Sequence, residues 1–169
     1  PVAMRDHWAE ANAESWRAME EAVKAGKIRT IGVSNFRKHH LDELLKTAEI
    51  KPAVNQIMLN PSDLQSEVVK TNNDLGLLRE AYSPLGTGGL LENEVVNEIA
   101  NEVEKSPAQV LIRWSLKHGF LPLPKSVHDK YITANIDVFD FDLNNEQMEK
   151  LDGLHGVSGL ATDPDTANF

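Results

Sequence analysis

Ile28-Arg29-Thr30-Ile31-Gly32-Val33, followed by Ser34-Asn35-Phe36, decides the fold. Residues 28–33 form a short β-rich run bounded by turn residues. Upstream, Trp8 to Ala25 reads as a helix, with Trp16, Met19, Glu20 and Val23 at i, i+3, i+4 and i+7. Gly26 sits at its C′ position, where a positive φ meets no side-chain clash. Downstream, His39 to Ala48 is helical again, with Leu41, Leu44, Leu45 and Ala48 on one stripe. The same alternation continues outward. Strands are predicted at Pro52 to Ile57, Leu77 to Tyr82 and Phe120 to Pro124. Helices are predicted at Leu64 to Leu75 (ended by Gly76), Asn93 to Lys105, Ser106 to His118 (ended by Gly119), His128 to Ile136, and Asn145 to Leu154. Ser106 is an N-cap and Pro107 stands at N1, where its missing N–H costs nothing.

Strand and helix in alternation mean parallel strands joined by right-handed crossovers. A doubly wound sheet and a (β/α) barrel both fit. A complete barrel takes eight such units and about 250 residues; four units are present, so the barrel reading makes this half a barrel.

The 169 residues are expected to form one domain, 1–169. Lys plus Arg is 17 and Asp plus Glu is 26, a net charge of −9, which argues against nucleic-acid partners and against a basic membrane-surface helix. The absence of cysteine excludes disulfides, thiolate chemistry and Cys-ligated zinc from this chain. No apolar run approaches the roughly 20 residues of a membrane-spanning helix, and no signal peptide opens the chain, so the expected location is the cytoplasm. Residue 1 is Pro, not Met. The chain is therefore expected to be processed, a fragment, or part of a longer gene product.

In either α/β architecture, ligands bind at the carboxyl ends of the strands. Ser34-Asn35-Phe36 follow the first strand, Gln56 lies near the end of the second, Tyr82-Ser83-Pro84-Leu85-Gly86 close the third, and Lys125-Ser126-Val127 follow the fourth. Ser, Asn and Gln pair with an amide, a Tyr face stacks on a ring, and Lys125 with Ser126 before a helix start makes an anion site. The set suits a flat heterocycle bearing an amide and phosphates. Loop punctuation is the plain alternative for any one of these residues; agreement at four strand ends counts against it.

Gly26 to Phe36, Val54-Asn55-Gln56-Ile57, Glu80 to Gly86, Pro107 to Trp114, Pro124-Lys125-Ser126-Val127 and Asp137 to Phe141 together, in this order and spacing, resemble the aldo-keto reductase family. The resemblance implies a TIM-type (β/α) barrel of which this chain carries strands five to eight, and an oxidoreductase that uses NADP(H), with NAD(H) as the alternative, to reduce small carbonyl substrates. It also implies that Ser34, Asn35 and Gln56 hold the nicotinamide carboxamide and that Tyr82 stacks on the nicotinamide. Ser83, Leu85 and Gly86 would line the pyrophosphate. Lys125, Ser126 and the backbone at Val127 would meet the phosphate on the adenosine ribose, and Asn135 the adenine. Where the family usually carries an Arg that grips this phosphate, the chain has Tyr131, which stacks but carries no charge; Lys130 is beside it. A Glu common at position 134 is Ala, and Met58 and Asn60 stand where Glu and His are usual.

The family's catalytic Asp, Tyr, Lys and His belong to its first four units. The chain's two tyrosines, Tyr82 and Tyr131, both fall in cofactor segments, so no catalytic residue is assigned here. Pro1-Val2 resembles the residues just after the family's catalytic His-Trp pair, and the tail from Asp163 to Phe169 resembles a complete bacterial-type end. Such a half leaves open sheet edges, so the expected partner is the missing N-terminal half or a second copy of the chain. The competing class is a non-catalytic one, a truncated remnant or a nicotinamide-binding scaffold. No metal is expected, since the adjacent His39 and His40 are read as pointing apart and no ligand spacing occurs. The histidines are assigned solvated or capping roles, and Trp8, Trp16 and Trp114 packing roles.

Overall fold

The computed structural model describes residues 7–167. The sequence readings at Pro1-Val2 and at the last two residues, Asn168 and Phe169, lie outside this range. The chain divides into two compact units. The first comprises Pro1–Gln56, Glu67–Leu78 and Thr162–Phe169, and the second Ile57–Ser66 and Arg79–Ala161.

The first unit starts with helix α1 (Trp8–Lys24), which buries Trp16 and Glu20. Trp16 packs with Ile31 and Leu44 and donates its indole N–H to the Ile50 carbonyl at 2.9 Å. The buried Glu20 carboxylate accepts the amides of Glu49 and Ile50, both at 2.8 Å, so its burial is compensated. Gly26 takes φ 70° at the end of α1, as its sequence position requires. Strand β1 (Val33–Ser34) and strand β2 (Val54–Met58) pair in parallel, Val33 opposite Asn55 and Ser34 opposite Gln56. Between them runs α2 (Lys38–Leu44), and α3 (Ser66–Asp74) follows β2.

The first strand is shorter than its composition suggests. Upstream of Val33 one bond, Ala53 N to the Ile31 carbonyl at 3.0 Å, accompanies β2, and Ile28 is exposed. β-branched residues fit a half-buried pleated surface; where that surface ends, the run stops pairing. Gly32 is a forced choice, because a Cβ there would lie 2.1 Å from Val54 Cγ1 and 2.7 Å from the Val54 carbonyl oxygen.

In the second unit, β3 (Leu78–Tyr82, from Arg79 onward) pairs in parallel with β4 (Leu121–Leu123), Tyr82 opposite Leu123. Helices α4 (Glu94–Glu102) and α5 (Pro107–Lys117) lie between them in the chain and pack on each other. The predicted start of α5 is observed as a full capping box between Ser106 and Gln109 with Pro107 inside the first turn. Trp114 is fully buried and donates to Asp152 at 2.7 Å. After β4 come α6 (Asp129–Ile136) and α7 (Asn145–Asp152), the latter opened by an Asn144–Gln147 capping box. Gly86–Gly88, read from sequence as loop, is a tight turn whose three residues all hold positive φ, 57°, 52° and 95°. No helix among the described residues is long and apolar enough to cross a membrane.

Candidate cofactor-binding site

In the first unit, three of the sequence-assigned residues come together at the carboxyl ends of β1 and β2. The Ser34 hydroxyl donates to the Gln56 carbonyl at 2.9 Å, and the Asn35 amide donates to the same oxygen at 3.0 Å. Asn35 has φ 56°, a left-handed conformation that Asn tolerates better than most residues. Asn55, which the sequence reading passed over, holds this bend. It is fully buried, donates to the Phe36 carbonyl at 2.8 Å and to Asn72 at 3.1 Å, and accepts the Phe36 amide at 3.4 Å. Ser34 and Asn35 themselves remain exposed.

In the second unit, Tyr82 ends β3 half-buried, and Ser83 turns the chain at φ 49°. The turn closes through Gly86 N to the Ser83 carbonyl at 3.0 Å, with Gly86 at φ 57° and Thr87 at φ 52°. Ser83, Leu85, Thr87 and Gly88 from the turn line a cleft of about 210 Å³ together with Leu123 and Lys125 from the end of β4. Ser126 and Asn135 line a separate, apolar cleft of about 410 Å³ with Leu121, Ile132 and Phe139. The Ser126 hydroxyl accepts the His128 amide at 3.2 Å and so opens α6. Gly86 sits buried behind the turn, and Val127 is 78% exposed and lines neither cleft. Tyr131 is exposed, with the His128 ring edge-on at 5.8 Å and Lys130 Nζ 5.9 Å from its ring centre. Lys130, which the sequence reading set beside the uncharged Tyr131, thus holds its ammonium near that ring.

One expectation is corrected. His39 and His40 do not diverge: both Nε2 atoms approach the same Asp165 oxygen, at 3.1 and 3.0 Å. The cause is the helix start. His40 turns back to accept the Arg37 amide at its Nδ1 (3.1 Å), completing a capping box at α2. That rotation carries its ring under His39, with centroids 3.9 Å apart. Arg37 adds ion pairs to Asp163 at 3.1 Å and Asp165 at 3.6 Å. The three ligand-type atoms of His39, His40 and Asp165 lie within 4.8 Å of one another. With Nδ1 accepting an N–H, the neutral His40 ring carries its proton on Nε2, facing Asp165; the contact is a hydrogen bond rather than a free ligand pair. Burial, reinforced by the neighbouring His39, lowers the His40 pKa below the usual imidazole value.

The profile of the Aldo/keto reductase family matches residues 5–155. The chain belongs to the aldo/keto reductase family. Within this family it is 47% identical over 165 residues to the glyoxal reductase of Bacillus subtilis, covering 96% of the chain and 60% of that protein. A crystal structure of a Gox0644 variant in complex with NADPH superposes with TM-score 0.88 at 37% identity, over 93% of this chain and 58% of that one. The aldo-keto reductase of Bombyx mori in complex with NADP gives TM-score 0.79 at 32% identity, over 85% and 50%. This aldo/keto reductase chain thus spans roughly half to three-fifths of the relatives it matches. Its α/β architecture of parallel strands and connecting helices is that of a partial barrel of the TIM type.

Proposed function

We propose that this chain supplies the dinucleotide-binding wall of an NADP(H)-dependent reductase that converts small aldehydes and ketones to alcohols. The observation that carries the reading is the cleft beside Lys125. It is lined by Ser83 and Thr87, by a glycine, Gly88, with open space around it, by one cation, Lys125, and by the apolar Pro84, Leu85, Leu123 and Pro124. The hydroxyls and the cation suit a phosphate chain. The residues present therefore fit the dinucleotide that two of the structural relatives hold.

When bound, the nicotinamide supplies the hydride. This chain's residues bind and orient. The Ser34–Asn35–Gln56 cluster takes the carboxamide, with Ser34 and Asn35 already fixed by their bonds to the Gln56 carbonyl. Tyr82 offers a flat face to the nicotinamide. Ser83, Leu85 and Gly86 shape the pyrophosphate wall. Lys125 and Ser126, with the backbone at Val127 nearby, meet the phosphate on the adenosine ribose, assisted by Lys130, and Asn135 meets the adenine. None of these residues serves as proton donor to the carbonyl; that role falls to the part of the relatives' length that this chain does not span. The glyoxal reductase relative makes small dicarbonyls the first substrates to try.

The test is a fluorescence titration of the 169-residue chain with NADPH and NADH, alongside an assay of aldehyde-dependent NADPH oxidation. NADPH is expected to bind, weakly, with Lys125→Glu and Tyr82→Ala each reducing affinity at least tenfold, and without turnover. Unchanged affinity in both variants would place the ligand elsewhere, and turnover at a rate normal for a reductase would refute the division of labour.

A further inference from the structure

Asn60 follows β2, and the cofactor reading gives it no task. Its side chain is fully buried and both ends are used. Oδ1 accepts the Ser62 amide at 2.9 Å, closing a small local turn. Nδ2 reaches across to the turn after β3 and donates to the Ser83 carbonyl at 3.0 Å. Ser83 holds φ 49°, a conformation strained for a non-glycine residue, which persists only where the surroundings impose it. The same carbonyl accepts Gly86 N at 3.0 Å. One acceptor thus serves two donors: one closes the turn, the other tethers it.

A second set of bonds backs the turn from behind. Ser62, also fully buried, donates its hydroxyl to the Gly159 carbonyl at 2.7 Å and accepts the Ser158 amide at 2.9 Å. Its own carbonyl accepts Gly156 N at 2.8 Å, and Asp63 accepts Ala161 N at 2.8 Å. The strap so anchored, residues 156–161, lies directly against the turn. A Cβ on Gly86 would stand 2.4 Å from Ser158 Oγ, and one on Gly89 3.0 Å from Ser158 Cβ. Turn, Asn60, Ser62 and strap therefore form a closed ring within the second unit.

We propose that Asn60 is the positioning residue of the Ser83–Gly88 turn, and that its Nδ2 bond to the Ser83 carbonyl imposes the left-handed bend that presents Ser83 and Leu85 to the cleft. The proposal rests on the reading of that cleft as the dinucleotide's phosphate wall. Asn60 acts through Ser83, not on the ligand, and strap 156–161 prevents the turn from relaxing backwards when the tether pulls.

The two ends of the Asn60 amide are separable by chemistry. Asn60→Asp keeps the oxygen that accepts the Ser62 amide and replaces the donor with a second oxygen facing a carbonyl. Asn60→Ala removes both. Backbone amide exchange, followed by NMR on the full chain without ligand, reads the two bonds separately. Both variants are expected to speed exchange at Gly86 about tenfold, the loss of one net hydrogen bond to a partly buried acceptor. The Ser62 amide is expected to stay protected in Asn60→Asp and to lose protection in Asn60→Ala. Leu45, whose amide is bonded within the first unit, serves as the internal reference. NADPH titration is then expected to show an affinity about tenfold weaker in both variants, matching the exchange change. Wild-type exchange at Gly86 in Asn60→Asp would overturn the proposal and reduce Asn60 to a residue of its own local turn. If Asn60→Ala does not fold, Asn60→Asp alone decides, since Asp keeps that local turn. A wild-type chain that binds no NADPH sinks the phosphate-wall reading, while the exchange data still decide whether Asn60 sets the turn.

Discussion

The Ser83–Gly89 turn and the Lys125–Ile136 segment both carry residues assigned to the dinucleotide, yet they are built in opposite ways. The turn buries Pro84 and Gly86, holds Ser83 and Thr87 in left-handed conformations and is tethered through buried Asn60 and Ser62. The segment contains α6, none of whose residues is buried. Ile136 is 72% exposed, and its opening rests on the Ser126–His128 contact. In the turn, the fold dictates where backbone and hydroxyls stand before any ligand arrives. In the segment, long side chains on an open helix reach outward and adapt. Rigid presentation suits a backbone-lined phosphate chain, and adjustable charge suits a terminal phosphate whose recognition is mostly Coulombic.

The contrast breaks most visibly at Gly86. Gly86→Val forces a β-branched residue to φ 57° and drives its Cβ into Ser158 and Leu90, so a stability loss of about 3 kcal/mol is expected in urea unfolding. A loss within about 0.5 kcal/mol would mean that the turn is not braced. Ser62→Ala comes next. It leaves the Ser158 amide and the Gly159 carbonyl without their partner, an expected cost of about 2 kcal/mol, accompanied by faster exchange at Gly86. Tyr131→Arg, on the open segment, is expected to change stability by no more than about 0.5 kcal/mol. It should raise the preference for NADPH over NADH severalfold, measured as the ratio of the two dissociation constants; a folding defect instead would show that the segment is as constrained as the turn.

The gentlest perturbation is pH, and it acts on neither region. His40 is held below its unfolded pKa, so the folded state resists taking the proton that the unfolded chain accepts. The structure around α2 is expected to keep full stability above about pH 6.5, the unfolded imidazole value. It should lose stability as pH falls through that value toward the lower folded one. Amide exchange in α2 checks this, with His40→Gln flattening the dependence.

Much of this was legible in the sequence. Helix ends were written in residues with one physical reading, Gly26, Ser106-Pro107 and Gly119, and they stand where the pattern placed them. The strand-end polar residues were found because parallel α/β topology sends ligands to one edge. What escaped was the bracing. Asn55 and Asn60 look like any polar residue beside a strand, and nothing in spacing tells that an amide is fully buried and bonded to a bend from another part of the chain. The His39–His40 pair escaped for a related reason: adjacent helical residues normally diverge, and only the capping rotation of His40 onto the Arg37 amide reverses that. Long-range pairing of this kind is a property of the packed chain, so local rules cannot see it.

The grip on Asp163 and Asp165 has a practical corollary. Arg37 and two imidazoles secure those carboxylates through contacts that are themselves a little over a third open to solvent on the Arg37 and aspartate sides. Dissolved ions compete for such pairs, and at molar concentrations the reach of a charge shrinks to about 3 Å. Brine should therefore loosen the segment around Asp163 and Asp165 well before it troubles the apolar interior, and exchange of the Asp165 amide, bonded to Asp163 Oδ1 at 2.9 Å, would serve as a gauge of ionic strength.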